Sequence, residues 1–514
     1  MTSRILGLVR EQVLAYWFGA SDAMDAFLVA FRVPNLVRDL FAEGAMSAAL
    51  VPTFSRTLAL DGRERAWRLG NAIMTALIAV TAVLVVGAIA FAPALVHLLA
   101  GDFASVPGKF ELTVQLTRVM APFLILVAVA AACMGMLNSL NIFFIPALSP
   151  AMFNVASIAV GIGLVPVAMA AGVEPILAMA YGTLVGGVGQ VALQWPPLRR
   201  EGFRFRPRLD LADPGLRRVL ALMGPGMVGL AATQLNVFVN TIVATGEGTG
   251  AVSWLTYAFR VMYLPIGLFG VSIATATTPA MSRLAAANDL PRMRSTLASA
   301  IGLMLTLNVP ATLGLMVLAT PIVRLLFERG RFTPTDTMAT AAAVQLYALG
   351  LVGYSVVKIV SPTFYALGRS RTPAAVGIAA VLLNAGLSVA TAPYFGYKGL
   401  ALSASIASLF NAGTLAWLAR GALGGLEFAR VVATFTKTLA AAAAMAAVAW
   451  AVMRGMESAL PGPSLAAQIL RLAGTIGLAL LTLALGALIL RIREFEAVSD
   501  AASARLRRIF GRRG

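Results

Sequence analysis

Residues 119–173 read VMAPFLILVAVAAACMGMLNSLNIFFIPALSPAMFNVASIAVGIGLVPVAMAAGV and contain no Asp, Glu, Lys or Arg. A helix crosses the hydrocarbon core of a bilayer with about 20 apolar residues, so this stretch must hold two crossings joined by a tight turn. Apolar runs recur to the C-terminus of the 514-residue chain, whereas a secretory signal would be one short apolar block behind a basic segment. Across the chain 59% of residues are hydrophobic and 12% are charged, with a mean hydropathy of +0.85. Soluble domains carry about 25% charged residues. The composition therefore excludes a soluble fold and leaves an all-α polytopic membrane protein.

Gly, Pro and charge punctuate the apolar runs and predict about fourteen transmembrane helices. These lie near residues 1–18, 25–55, 68–95, 111–137, 146–170, 175–197, 217–244, 250–282, 296–322, 338–366, 373–393, 398–419, 432–453 and 468–490. The chain also repeats itself. Ala30-Phe31-Arg32-Val33 returns as Ala258-Phe259-Arg260-Val261, Pro52, Ser55 and Arg56 return as Pro279, Ser282 and Arg283, and Pro146-Ala147 returns as Pro373-Ala374. Three matches at nearly one spacing indicate a duplicated six-span unit. An even number of spans orients both copies alike, so the expected architecture is two six-helix lobes in a parallel pseudo-twofold repeat, with the site between them. The boundaries read as 1–210 for the N-lobe with its basic loop, 211–425 for the C-lobe, 426–490 for the last two spans and 491–514 for a basic tail. The first span is about 27 Å long at 1.5 Å per residue, and it contains Arg4, Arg10 and Glu11.

The net charge of +18 would suggest nucleic acid in a soluble chain. Its distribution argues otherwise. Of the Lys and Arg in predicted loops, 25 fall in one alternating set and 6 in the other, the bias that holds cationic loops inside. Both termini are thus expected in the cytoplasm, with no nucleic-acid partner. The chain has one cysteine, Cys133, inside an apolar run, and one histidine, His97. Zinc chemistry and His-dependent nucleophilic catalysis lack their parts, no phosphate-binding GxxxxGK[ST] loop occurs, and no cofactor is expected.

An ionisable group at mid-membrane costs roughly 2.5–3.5 kcal/mol on insertion scales, so it faces a cavity or a partner. The predicted spans hold Arg4, Arg10, Arg32, Arg38, Arg118, Arg260 and Lys358 against Glu11, Asp25, Asp39 and Glu43, a balance of +3. At 100° per residue Asp25, Arg32, Asp39 and Glu43 fall within about 40° of one another, on one interior surface. Arg38 lies about 140° away unless the break at Pro34 turns it back. Arg260 precedes Pro265, Gly267 and Gly270, the kind of interrupted helix that transporters place at the substrate. A cationic, partly dehydrated cavity selects an anion, and the planar fork of Arg suits phosphate. Each residue also has a plainer role. Arg32 can pair with Asp25 or Asp39, Arg4 and Arg118 can snorkel to an interface, and a carbonyl or water can satisfy Lys358. Arg204, Arg206 and Arg208 can serve as orientation determinants and anionic-lipid contacts.

Ser3-Arg4-Ile5-Leu6-Gly7-Leu8-Val9-Arg10-Glu11, Asp25-Ala26-Phe27, Phe31-Arg32-Val33-Pro34-Asn35-Leu36 and the run from Arg38 through Glu43 to Phe54 resemble the N-terminal signature of the MurJ (MviN) lipid II flippase family. Arg260-Val261-Met262 with Leu264-Pro265, and Phe327-Glu328-Arg329-Gly330-Arg331-Phe332, match it too. The resemblance implies a member of the multidrug/oligosaccharidyl-lipid/polysaccharide exporter superfamily. The substrate would be undecaprenyl pyrophosphate carrying the peptidoglycan disaccharide-pentapeptide, and the last two helices would form a groove for its lipid tail. The family's cavity arginines fall on Arg4, Arg10, Arg38 and Arg260, and its cavity acids on Asp25 and Glu43. Implied partners are lipid II, membrane lipids and cell-wall synthesis proteins, with the chain acting as a monomer.

Two departures stand out. The family's first helix begins well before the Ser-Arg motif, so this N-terminus reads as truncated or started late. The aspartates of a sodium site in some members are Asn240 and Ser388 here, beside a matching Asn384, which argues against sodium coupling and leaves the membrane potential. The expected mechanism is alternating access. A flippase for another polyprenyl-linked glycan and a multidrug antiporter are the rival transporters, although an antiporter of cationic drugs would want a net acidic cavity. A non-transporting scaffold would not need cavity charges, and a membrane enzyme would need clustered His, Cys or paired acids.

Overall fold

The computed structural model describes the backbone of residues 2–40 and 46–495, and the side chains of these residues other than 2–4, 37–40, 47, 48, 224–233 and 235. Among them no β-strand occurs. The helices are α1 (Thr2–Phe18), α2 (Asp22–Leu40), α3 (Met46–Ala90), α4 (Ala92–Ala100), α5 (Lys109–Met120), α6 (Phe123–Ser139), α7 (Phe144–Ala170), α8 (Ile176–Arg200) and α9 (Pro214–Thr245). They continue with α10 (Ala251–Pro265), α11 (Val271–Ala286), α12 (Leu290–Phe327), α13 (Pro334–Leu349), α14 (Leu351–Ala366), α15 (Arg371–Phe395), α16 (Tyr397–Ala422), α17 (Phe428–Ala459) and α18 (Leu465–Ile489). Among the described residues ten stretches are long and apolar enough to cross a membrane, or eleven if α13 and α14, bent by 40°, form one. This is an all-α, multi-pass membrane fold.

The uncharged stretch folds as expected into α6 and α7, with a turn in which Asn141 takes a φ of 62°. Of the expected span 25–55, the parts in α2 up to Leu40 and in α3 from Met46 are helical, and residues 41–45 lie outside the described residues. Inside α3 the backbone at Gly62 has φ 81° and ψ 175°, a conformation that only glycine reaches without steric cost. The expected interruption after Arg260 is a π-helical turn, Ile266–Gly270, through which α10 passes into α11. Pro265 cannot donate to the ladder, and the local widening accommodates that loss.

The backbone breaks follow the sequence repeat. Pro122 between α5 and α6 and Gly350 between α13 and α14 stand 228 residues apart. The kink at Gly62 corresponds to the turn before α12, where Asn288 has φ 53°.

The chain forms two compact units, one of residues up to Ser253 with Arg329–Thr333, the other of Trp254–Glu328 with residues from Pro334. The division falls within the first turn of α10. In the first unit Leu50, Phe54, Leu69, Cys133, Met136 and Phe203 build the core, so Cys133 is packed and buried. In the second, Met293, Met304, Ile359, Phe364 and Leu415 do so, while α17 packs on α12 and α18 on α17.

Small residues allow the close approaches that membrane helices need when lipid is as apolar as their own side chains. Gly350 and Gly353 lie on Ser405 and Ser408 of α16, and a Cβ at Gly353 would collide with Ser408. Ser405 Oγ donates to Leu346 O at 2.6 Å and Ser408 Oγ to Gly350 O at 2.8 Å. Cross-helix bonds of this kind contribute about 0.6 kcal/mol each.

Candidate functional site

In the first unit, the head of α2 carries a fully buried carboxylate with every acceptor occupied. Asp25 Oδ1 accepts from Ser253 N at 3.0 Å and Ser253 Oγ at 2.6 Å. Its Oδ2 accepts from Gly250 N at 2.7 Å and from Lys109 Nζ at 3.0 Å. Gly250 and Ser253 frame the first turn of α10, where backbone N–H groups lack intrahelical partners and the helix dipole favours an anion. Asp25 thus caps a helix more than two hundred residues away. Ser253 stands 228 residues after Asp25, the offset that relates Arg32 to Arg260, so the carboxylate is held by its own counterpart in the repeat.

Lys109, itself 3% exposed, supplies the countercharge. Its ammonium also meets Asp22 Oδ1 at 2.7 Å and sits 4.1 Å from the centroid of the Phe103 ring. Thr249 Oγ1 donates to Asp22 at 2.7 Å. In the same loop, burial pushes the Glu247 carboxyl above the usual carboxylate range.

On α1, Arg10 Nη2 pairs with Glu11 Oε1 at 2.7 Å, with the two side chains 13% and 3% exposed. Its guanidinium lies 5.3 Å from the Phe153 ring centroid, and its Nε is buried without a hydrogen-bond partner. Phe153 belongs to an aromatic stack with Phe31 and Phe123, and Phe27 extends it. Arg32, next to Phe31, is half-buried.

The second unit holds charge differently. Arg260, Phe259 and Tyr263 are exposed on α10. Residues three and four apart share a helix face, so Arg260 neighbours Tyr263. Phe259 stacks on Tyr263 at 5.8 Å and meets Tyr347 edge-on at 5.6 Å. Lys358, half-buried on α14, points its ammonium at the Tyr263 ring, 5.9 Å from its centroid. No carboxylate among the described residues lies within ion-pair distance of Lys358. Gly270 of the π turn lies against the Lys358 stem and Ser355, whose hydroxyl is buried without a hydrogen-bond partner. The strip thus brings an ammonium, a guanidinium, an unused hydroxyl and exposed rings together, groups whose chemistry suits an anionic, partly apolar ligand.

Asn384 and Ser388 are buried one helical turn apart on α15, and Asn240 is half-buried on α9. Among the described residues no group of three His, Cys, Asp or Glu could hold a metal ion. The side chains of Arg4 and Arg38, and all of Glu43, lie outside the described residues.

Sequence reasoning missed Lys109, which it counted among loop cations, and it missed Ser253 and Tyr263. Two signals were available. The repeat offset leads from Asp25 to Ser253, and helical spacing leads from Arg260 to Tyr263. Lys109, 84 residues from Asp25, had no such signal.

A family profile described as "Lipid II flippase MurJ" matches residues 14–466. The lipid II flippase MurJ of Burkholderia cenocepacia is 35% identical over 415 residues, 80% of this chain and 80% of that protein. The probable lipid II flippase MurJ of Vibrio cholerae is 34% identical over 428 residues, 82% of this chain and 80% of that protein. Among solved structures, a lipid II flippase MurJ in an inward closed conformation shares the fold with a TM-score of 0.78. It is 24% identical and covers 95% of this chain and 97% of its own. An inward-facing multidrug MATE transporter reaches 0.70 at 16% identity, over 82% of this chain and 94% of its own. By the extent of the profile match and the identity to these relatives, the chain belongs to the MurJ lipid II flippase family.

Proposed function

We propose that this chain carries lipid II from the inner to the outer leaflet of the bacterial inner membrane by alternating access, as a transporter with no covalent step. The observation that carries the mechanism is the strip of Arg260, Tyr263 and Lys358 within otherwise apolar helices, with Ser355 beside it. A pyrophosphate needs cations whose charge is not already cancelled by carboxylates, and Lys358 meets that need. From the sequence, Arg4, Arg32 and Arg38, with the acid Glu43, are further candidates for the headgroup, whereas Arg10 is paired with Glu11 and Asp25 with Lys109, so the charges of these two are already met within the protein.

In this reading the chain has fourteen spans. Helices α1, α2 and α9 join the eleven apolar stretches, in two like-oriented six-helix lobes followed by α17 and α18, which carry the lipid tail. Both termini face the cytoplasm, and the protein acts as a monomer alongside cell-wall synthesis proteins. The grip of Asp25 on the head of α10 is the contact exchanged when access changes, because a helix terminus bound by a side chain can be released without unfolding either helix. With Asn240, Asn384 and Ser388 in place of a carboxylate-bearing cation site, the driving force is the membrane potential, about 2.3 kcal/mol per elementary charge per 100 mV.

The test is complementation. A bacterium depleted of its own family member and supplied with this chain should regain lipid II in the outer leaflet, read by externally added lipid II-modifying enzyme. Lipid II remaining in the inner leaflet despite normal amounts of the protein would overturn the proposal.

A further inference from the structure

Between α8 and α9 the chain runs through Phe203-Arg204-Phe205-Arg206-Pro207-Arg208 without helix. Side chains alternate along it. Phe203 is 1% exposed and Phe205 packs on the same core, while Arg204, Arg206 and Arg208 are all exposed. In an extended chain alternate residues share a face, so three guanidinium groups stand in a row, each about 6.6 Å along the chain from the next.

The row is held in place. Asn71, buried on α3, donates from Nδ2 to Arg204 O at 3.1 Å and accepts at Oδ1 from Arg206 N at 2.7 Å. Thr75 Oγ1, one turn further along α3, accepts from Arg208 N at 3.0 Å. One side-chain amide thus grips the backbone on both sides of Phe205, as a neighbouring β-strand would. Beneath the row Trp67 and Trp195 close on Phe203, with centroids at 5.4 and 6.0 Å. Tryptophan concentrates at the headgroup level of a bilayer, which puts the guanidinium row at the depth of lipid phosphates.

Of the local acids, only Asp210 meets the row, at its Arg208 end, among the described residues. Glu201 pairs with Arg63 at 3.4 Å, Asp213 with Arg65 at 2.7 Å and Asp210 with Arg208 at 3.1 Å. The two acids at the α3 kink, Asp61 and Glu64, make no ion pair with the row, and Arg204 and Arg206 have no carboxylate within ion-pair distance among the described residues. We infer that this strap is a binding site for anionic glycerophospholipid headgroups, built by the Asn71 clamp and separate from the site that handles the transported lipid.

Native mass spectrometry of the full-length protein in neutral detergent tests this, with phosphatidylglycerol as probe, phosphatidylcholine as zwitterionic control and undecaprenyl diphosphate as diphosphate control. A basic residue near an anionic surface contributes enough to change affinity about fivefold, so R204Q/R206Q should weaken the tightest phosphatidylglycerol binding about thirtyfold. R204K/R206K should stay within about fivefold of the parent, and Asn71→Ala should weaken binding although every arginine remains. Equal phosphatidylglycerol binding by the parent and R204Q/R206Q, or equal binding of phosphatidylcholine by the parent, would overturn the inference. So would an R204Q/R206Q protein that loses undecaprenyl diphosphate but keeps phosphatidylglycerol. An Asn71→Ala protein that binds like the parent would overturn the clamp.

Discussion

The head of α2 and the middle of α10 both place charge in apolar helices, and they treat it in opposite ways. At Asp25 each oxygen has two donors, the countercharge of Lys109 is buried with it, and the carboxylate has no exposure. Along α10 Arg260 is exposed, and Lys358 faces an aromatic ring rather than a carboxylate. Charges that are fully answered by protein have nothing left for a ligand, and they serve to hold helices together. A charge set against a ring rather than a carboxylate, as at Lys358, keeps its interaction capacity for something that arrives. Two lysines in one membrane protein can therefore have unrelated work, and burial with partner identity separates them.

The same substitution at the two lysines is the strongest way to break this contrast. Lys109→Met strands Asp25 as a buried charge, and removing one partner of a buried pair costs about 3–5 kcal/mol. A large fall in thermal stability of the purified protein is expected, with much of it recovered in the Asp25→Asn/Lys109→Met double variant; a single variant that melts like the parent would show that the cluster is no lock.

Next in size is Arg260→Ala, expected to lower lipid II translocation about tenfold to a hundredfold, as loss of a charge-assisted hydrogen bond does. Its melting temperature should hardly move, since the side chain is exposed, and Arg260→Lys should retain part of the activity.

Lys358→Met should reduce translocation by a smaller factor, about fivefold, from loss of a charge that also makes a cation–π contact. It should leave stability unchanged, the reverse of the outcome at Lys109. Asp22→Asn should do least, about 0.5 kcal/mol in an unfolding experiment, because the carboxylate is partly exposed and Lys109 keeps its bond to Asp25.

Much of the fold was legible as text. The charge-free run of 119–173 became α6 and α7, and the repeat that links Arg32 to Arg260 also links the breaks at Pro122 and Gly350. Helix starts and ends were less legible where two helices adjoin without a charge between them, as at α5 and α6 within the expected span 111–137, because local apolarity runs on across the break. The site was legible in its residue types but only partly in its pairings. Helical spacing offers Arg32 the acids Asp25 and Asp39 of its own helix, yet Asp25 turns to Lys109 on α5 and to the head of α10.

The sequence by itself determined that this chain lives in a membrane, that it is helical and duplicated, and that it carries unusual positive charge within its spans. Those properties follow from transfer free energies and spacing, which belong to residues and their order. Only the tertiary structure decided which of those charges are spent on protein and which remain available. In a low-dielectric interior that outcome depends on distances of a few ångströms between helices far apart in the chain, and no local pattern encodes them.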